Sequence, residues 1–124
     1  MGIPSWRFDG NERKYLEEVL SAGFRAGSDG AFTTRLEKYF SDSYNVPYSI
    51  AFNSGTSALH AALLAMGCGP GDEVLTPALT PLMCGLAPYY TGATPVFVDS
   101  LSDTFLMDAI DIERKITEKT KVIF

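Results

Sequence analysis

The residues of this chain with the clearest chemical potential are Ser54, Gly55, Thr56 and Ser57, within the stretch "AFNSGTSALH" at residues 51–60. They lie where a short apolar segment passes into a helical pattern. The first N–H groups of a helix lack intrahelical partners and carry the positive end of its dipole, so a phosphate can bind there. Hydroxyls of Thr56 and Ser57 could add hydrogen bonds, and Gly55 would let the backbone approach closely. The alternative is a plain N-cap by Ser54 or Thr56, and the spacing alone leaves both interpretations open.

Other residues give weaker signals. "GCGPG" at residues 67–71 follows a helix and precedes a strand, the reverse of the order in a dinucleotide-binding loop, so it is interpreted as a turn. "NSGTS" is not followed by the Gly-Lys-Ser/Thr of a Walker loop. His60, the only histidine, is expected to pack within a helix rather than act as a base. Asp99 ends a strand, where α/β folds place functional groups, but an aspartate in "VDSLSD" is also a common turn former.

Composition limits the class of protein. The chain has 124 residues, 46% of them hydrophobic and 20% charged, which predicts about one globular domain. A net charge of −5 argues against a nucleic acid or an anionic membrane as the main partner. Cys68 and Cys84 match no metal or redox spacing and are expected to be buried free thiols in a reducing cytosol. Residues 74–98 carry no charge, but four prolines interrupt them, which favours two buried strands around a helix over a membrane span.

Hydrophobic periodicity predicts alternating helices and strands, and therefore an α/β fold with a mainly parallel sheet. Asp9 or Asn11 is expected to cap the first helix, Thr33 the second, and Asp108 with Asp111 resembles a capping box for the last. A chain that stops within a strand resembles the front part of something longer. The predicted helices are "NERKYLEEVLSAGF", a segment after the loop at 25–31, 57–66, 82–90 and 109–116, and the predicted strands are 48–52, 73–76, 95–99 and 121–124.

Three stretches together resemble a known family: "NSGTSALHAALLAMGCGPGDEVLTPALT", "TGATPVFVDSLSDTFLMD" and "ITEKTKVIF". They are similar, in order and nearly without gaps, to the pyridoxal-phosphate-dependent sugar aminotransferases of the DegT/DnrJ/StrS type. The resemblance extends from about Asn11 to Phe124. It implies a fold-type-I large domain, of which residues 1–124 would be the N-terminal portion. It also implies that Gly55, Thr56 and Ser57 hold the phosphate of pyridoxal 5'-phosphate, and that the loop at 25–31 lies near the substrate in a dimer.

One departure from the family concerns the segment "TPALTP". Relatives commonly have an aromatic residue there that stacks on the cofactor ring. This chain has Ala78 for the usual serine and Pro81 in the aromatic position, while Thr80 is retained. The resemblance therefore implies Thr80 and Pro81 as cofactor contacts, with an apolar cover in place of π-stacking.

A second departure concerns catalysis. Chemistry through a Schiff base needs a lysine, and the pyridinium nitrogen needs a carboxylate partner. In the family both come from segments beyond the point that corresponds to Phe124. The five lysines of this chain do not match the family's serine-preceded motif, so we expect no catalytic residue among residues 1–124.

The resemblance implies amino transfer, from a donor such as glutamate, to a keto-sugar attached to a nucleotide, by a cytoplasmic homodimer. Such reactions serve polysaccharide or deoxyamino-sugar biosynthesis. The alternatives are an inactive truncated product, a phosphate-binding or interaction module, and a related sugar dehydratase. No metal, nucleic acid or membrane partner is expected.

Overall fold

The computed structural model describes residues 10–23 and 31–124. Within these ranges the chain forms two compact units, one up to Ala51 and one from Phe52 onward. Two helices belong to the first unit, and three helices and three strands belong to the second. The elements are α1 Glu12–Ser21, α2 Ala31–Tyr44, α3 Gly55–Ala65, β1 Glu73–Pro77, α4 Met83–Thr91, β2 Thr94–Val98, α5 Ala109–Lys115 and β3 Thr120–Ile123.

The first unit contains an arginine between aromatic rings. The Arg35 guanidinium lies 5.1 Å from the ring centroid of Tyr15 and 4.7 Å from that of Phe32, within range of cation–π attraction. Its Nη1 atom also lies 3.3 Å from Glu18 Oε1. Because Tyr15 and Glu18 belong to α1 while Phe32 and Arg35 belong to α2, these contacts join the two helices.

The predicted helix caps in this unit have different outcomes. Asn11, one of the two residues predicted for α1, is its N-cap residue, but its side chain makes no capping bond. The helix α2 begins at Ala31, so the prediction of Thr33 as its cap is wrong, because Thr33 already lies in the first turn. The other predicted cap, Asp9, and most of the loop predicted at 25–31 lie outside the described residues.

The strand predicted at 48–52 is also wrong. These residues pair with no strand in the described part of the chain. A β-strand needs a hydrogen-bonded neighbour, whatever its side-chain pattern. Tyr48 and Ile50 are instead 85% and 70% exposed. Within residues 10–23 and 31–124, one side chain bonds this segment: Glu37 Oε1 accepts the N–H of Ala51 at 2.9 Å.

The second unit contains a parallel sheet in the order β2-β1-β3. The predicted parallel α/β arrangement and the three later strands are confirmed, with boundaries moved by about one residue. Because β1 is central and covered, its middle three residues are buried, including the polar Thr76. The helix α4 connects β1 to β2, and α5 connects β2 to β3, as crossovers between parallel strands require.

The core lies on the face of the sheet that α3 and α4 cover. Helices α3 and α4 pack together, and both supply apolar side chains. The free thiol of Cys68 is buried in this core, as predicted, whereas Cys84 is only partly buried. The buried cluster consists of Leu63, Cys68, Val74, Ala87 and Ala93, with Leu59, Val122 and Phe124 packed against it.

A glycine sets the turn from α4 into β2. Gly92 has φ +84°, a left-handed conformation that ends the helix, and a β-carbon at this position would lie 2.9 Å from Pro70 Cγ. The uncharged run at 74–98 is thus a strand, a helix and a strand, as predicted. In residues 10–23 and 31–124, no helix combines the length and the apolar character needed to cross a bilayer.

Candidate functional site at the start of α3

The first turn of α3 is organised by Ser54. This residue has extended backbone angles, φ −158° and ψ 156°, and its hydroxyl oxygen accepts a hydrogen bond from the N–H of Ser57 at 3.2 Å. The Ser54 carbonyl accepts the first intrahelical bond, from the N–H of Ala58 at 3.1 Å. Ser54 is therefore the N-cap, and Thr56 is the second residue of the helix.

The two serine hydroxyls form a short chain within this turn. Ser57 Oγ donates to Asn53 Oδ1 at 2.8 Å, and the hydroxyls of Ser54 and Ser57 lie 2.9 Å apart. A hydroxyl has one proton, so when Ser57 donates to Asn53, Ser54 must be the donor between the two serines. Both serine protons are then used inside the turn.

The donors that stay available belong to Gly55 and Thr56. Their backbone N–H groups, at the positive end of the α3 dipole, make no hydrogen bond within the described residues, and neither does the Thr56 hydroxyl. A β-carbon built on Gly55 would meet no atom within 4 Å, so the space in front of this backbone is open. Open space beside these free donors at a helix start fits a phosphate group.

Thr80 and Pro81 lie in the loop between β1 and α4. Thr80 is half-buried and Pro81 is exposed, and the Pro81 carbonyl accepts the N–H of Cys84 at 3.0 Å. The loop follows the carboxyl end of a parallel strand, the edge at which α/β folds bind ligands. No hydrogen bond among the described residues joins this loop to the Ser54–Ser57 turn.

The start of α3 faces the same edge of the sheet. A short turn connects the end of α3 to the start of β1, and Leu63, near the end of α3, shares a core cluster with Val74, near the start of β1. The end of α3 therefore lies near the start of β1. Helices that precede a strand in α/β folds commonly run opposite to it, and in that arrangement the first turn of α3 lies toward the carboxyl end of β1.

A carboxylate near the carboxyl end of β2, Asp111, makes two hydrogen bonds, although the sequence suggested it only as half of a capping box. Asp108 does cap α5, since its Oδ1 accepts the N–H of Ile110 at 2.9 Å. Asp111 Oδ2 does not complete the box and instead accepts the N–H of Asp99 at 2.8 Å and the ammonium of Lys115 at 2.7 Å. The bond from the Asp99 N–H, followed by that from Lys115, holds the pKa of the Asp111 carboxyl below its ordinary value.

The remaining candidates have ordinary packing roles. The His60 ring meets the ring of Tyr90 edge-on, with centroids 5.9 Å apart. Asp99 Oδ1 accepts the N–H of the next residue, Ser100, as expected of a turn former. Residues 10–23 and 31–124 contain no group of three or more histidine, cysteine or carboxylate side chains able to hold a metal ion.

Comparison with known proteins identifies the family of this chain. The model of the DegT/DnrJ/EryC1/StrS aminotransferase family matches residues 7–124, nearly the entire chain. The chain belongs to this family. The resemblance seen in the sequence motifs is thereby confirmed.

Curated members of the family are similar over almost all of the chain. The GDP-perosamine synthase of Caulobacter vibrioides is 48% identical over 99% of the chain, which spans 33% of that relative. The GDP-perosamine synthase of Escherichia coli O157:H7 is 45% identical over 92% of the chain, which spans 31% of that relative. The chain therefore spans about a third of the length of these relatives.

Solved structures share the fold. An aminotransferase from Psychrobacter cryohalolentis matches with a TM-score of 0.82 and 32% identity, over 90% of this chain and 28% of its own. A Streptococcus pneumoniae protein assigned as a sugar aminotransferase, solved in its PLP form, matches with a TM-score of 0.77 and 42% identity, over 87% of this chain and 28% of its own. The predicted fold class, that of the fold-type-I aminotransferases, is confirmed.

Proposed function

We propose that residues 1–124 form the N-terminal portion of the large domain of a pyridoxal-phosphate-dependent aminotransferase that acts on nucleotide-linked keto-sugars. The observation that carries the proposal is the open start of α3, where Gly55 and Thr56 present free N–H groups at the positive end of a helix. Family membership and the presence of GDP-perosamine synthases among the relatives support the activity and the class of substrate.

In this proposal the α3 turn binds the cofactor phosphate. Gly55 and Thr56 donate their backbone N–H groups, and the Thr56 hydroxyl donates a further bond. Ser57 completes the turn, and its hydroxyl holds the turn in shape through Asn53. Because these donors are placed before the anion arrives, little reorganisation is needed on binding.

Thr80 and Pro81 take the position beside the cofactor ring. The Thr80 hydroxyl is a hydrogen-bond partner for a polar ring substituent, and the Pro81 ring gives apolar cover without aromatic stacking. The bound cofactor supplies the electron sink through which the amino group is transferred. The residues of this chain bind and orient the cofactor.

The finer assignments belong to the same proposal. The amino donor is an amino acid such as glutamate, the complete enzyme is a cytoplasmic homodimer, and its product serves polysaccharide or deoxyamino-sugar biosynthesis. The GDP-perosamine synthases among the relatives favour a sugar linked to GDP as the substrate.

A chimera tests the proposal. Residues 1–124 of this chain would replace the matching third of the C. vibrioides relative, which is 48% identical to them. We expect this chimera to bind pyridoxal phosphate and to transfer an amino group from glutamate to the relative's GDP-linked keto-sugar. A folded chimera that binds neither pyridoxal phosphate nor inorganic phosphate would contradict the proposal.

A further inference from the structure

Two side chains of α5 bond the carboxyl end of β2. Lys115 Nζ donates to the Phe97 carbonyl at 2.7 Å, and Asp111 accepts the N–H of Asp99 at 2.8 Å. The two side chains also pair with each other at 2.7 Å, with 36% of Lys115 and 16% of Asp111 exposed. Reduced exposure makes this pair less screened by solvent than an ordinary surface ion pair.

The bonded groups lie on the open side of β2, which is an edge strand of the described sheet. The Val98 carbonyl faces β1, because it accepts the N–H of Ala78 at 2.8 Å. Backbone groups of successive strand residues point to opposite sides, so those of Phe97 and Asp99 point away from β1. Lys115 and Asp111 thus hydrogen-bond backbone groups on the open edge of β2, where a further strand would otherwise pair.

The bond between Ala78 and Val98 is the last one between β1 and β2. Ala78 comes directly after Pro77, which is paired with Val98 at the end of the two strands, and it lies two positions before Thr80. The two peptide groups that flank Val98 are those held by α5. If these two peptide groups could move, the bond between Val98 and Ala78 would weaken. The end of β1 would then be held less firmly where it enters the loop of Thr80 and Pro81.

We infer that Asp111 and Lys115 are positioning residues, which hold the β1–α4 loop in place through the end of β2. The inference rests on the proposed function, since it assigns them an effect on the ring side of the cofactor site. The phosphate-binding turn belongs to α3 and shares no hydrogen bond with this loop in the described residues. Loss of the pair between Asp111 and Lys115 should therefore weaken the binding of the cofactor ring more than the binding of phosphate.

The test uses the chimera defined above. Lys115→Met should weaken pyridoxal-phosphate affinity by roughly threefold to tenfold, the loss expected from one net hydrogen bond. The inhibition constant of inorganic phosphate, measured by competition, should change by less than about twofold, since the α3 turn is untouched. Hydrogen exchange at the Ala78 amide should become faster. Lys115→Arg, which keeps a charged donor, should restore most of the affinity.

Asp111→Asn is the second variant, because it preserves shape and one acceptor oxygen if Lys115→Met folds poorly. It should give a smaller change in the same direction. Glu113→Gln, at an exposed carboxylate on the same helix, is the matched control and should change neither affinity nor exchange.

The outcomes separate the two proposals. Unchanged pyridoxal-phosphate affinity in both variants, equal losses for pyridoxal phosphate and phosphate, or a loss without faster Ala78 exchange would overturn the positioning role. A wild-type chimera that binds neither ligand would instead overturn the proposed function.

Discussion

At the scale of single residues, Thr56 is the side chain at the start of α3 whose hydroxyl is free to meet a ligand. Ser54 and Ser57 use their protons within the turn. In the chimera, Thr56→Ala should weaken pyridoxal-phosphate binding by about 1.5–3 kcal/mol, the range for a hydrogen bond to a charged group. Equilibrium titration monitored by cofactor absorbance measures this change.

His60→Ala is the comparison variant for Thr56→Ala, because His60 lies on the same helix and contacts Tyr90. It should change cofactor affinity far less. Equal losses in the two variants would mean that the turn serves only as a helix cap.

Pro81 is the second residue whose role can be tested singly. If it faces the cofactor ring, Pro81→Trp or Pro81→Phe in the chimera should tighten pyridoxal-phosphate binding by about 0.5–1.5 kcal/mol beyond the effect of burial. The exposed Leu79 gives a control: Leu79→Phe adds an aromatic ring to the same loop and should bring no such gain. A neutral or weakened Pro81→Trp variant would place residue 81 away from the ring.

At the scale of elements, the attachment of α5 to β2 should depend on pH. The pKa of Asp111 is lowered in the folded state by the N–H of Asp99 and by Lys115. A lowered folded pKa means that the ionised form stabilises the fold. This stabilisation is complete above the unfolded pKa of an aspartate, about 3.9, and is lost as the pH falls through the lower folded value.

Thermal unfolding of the chimera and its Asp111→Asn variant would measure this effect. The wild type should have the higher melting temperature at neutral pH. The difference should begin to shrink as the pH falls below about 3.9 and should vanish below the lowered folded pKa of Asp111. Glu113→Gln should show no comparable pH-dependent difference. A constant difference between wild type and Asp111→Asn at all pH values would mean that ionisation of Asp111 does not contribute.

At the scale of the whole molecule, the described residues expose much apolar surface. The unpaired segment at 48–52 and one face of α2 are examples, since Ile50 is 70% exposed and Leu36 50%. In the described sheet β3 is an edge strand, with backbone groups open to pairing. Surfaces of this kind favour association.

We therefore expect residues 1–124, expressed alone, not to behave as a stable monomer. Sedimentation should show association, and thermal unfolding should lack one cooperative transition. Treatment with pyridoxal phosphate and borohydride should label surface lysines at scattered positions. A monomer with a sharp transition and one stoichiometrically labelled lysine would contradict this prediction.

The sequence by itself determined the local elements of this protein. Short apolar runs in "EVLT" and "PVFV", and the glycines of the turn at 67–71, have preferences that act over a few residues, so β1, β2 and that turn could be predicted closely. The anion-binding potential of Gly55 and Thr56 was also visible, because the unpaired donors of a helix start are a local property.

Only the tertiary structure decided how distant groups meet. The segment at 48–52 has a strand-like pattern but no partner within the described residues, and pairing depends on a second segment rather than on pattern. Asp111 lies three positions after Asp108, yet its carboxylate accepts the N–H of Asp99, just beyond β2, since the packing of α5 against β2 brings the carboxylate to the open edge of that strand. A side chain bonds the groups that the fold brings within about 3 Å of it. The distance between two residues far apart in the chain cannot be read from their spacing in the sequence.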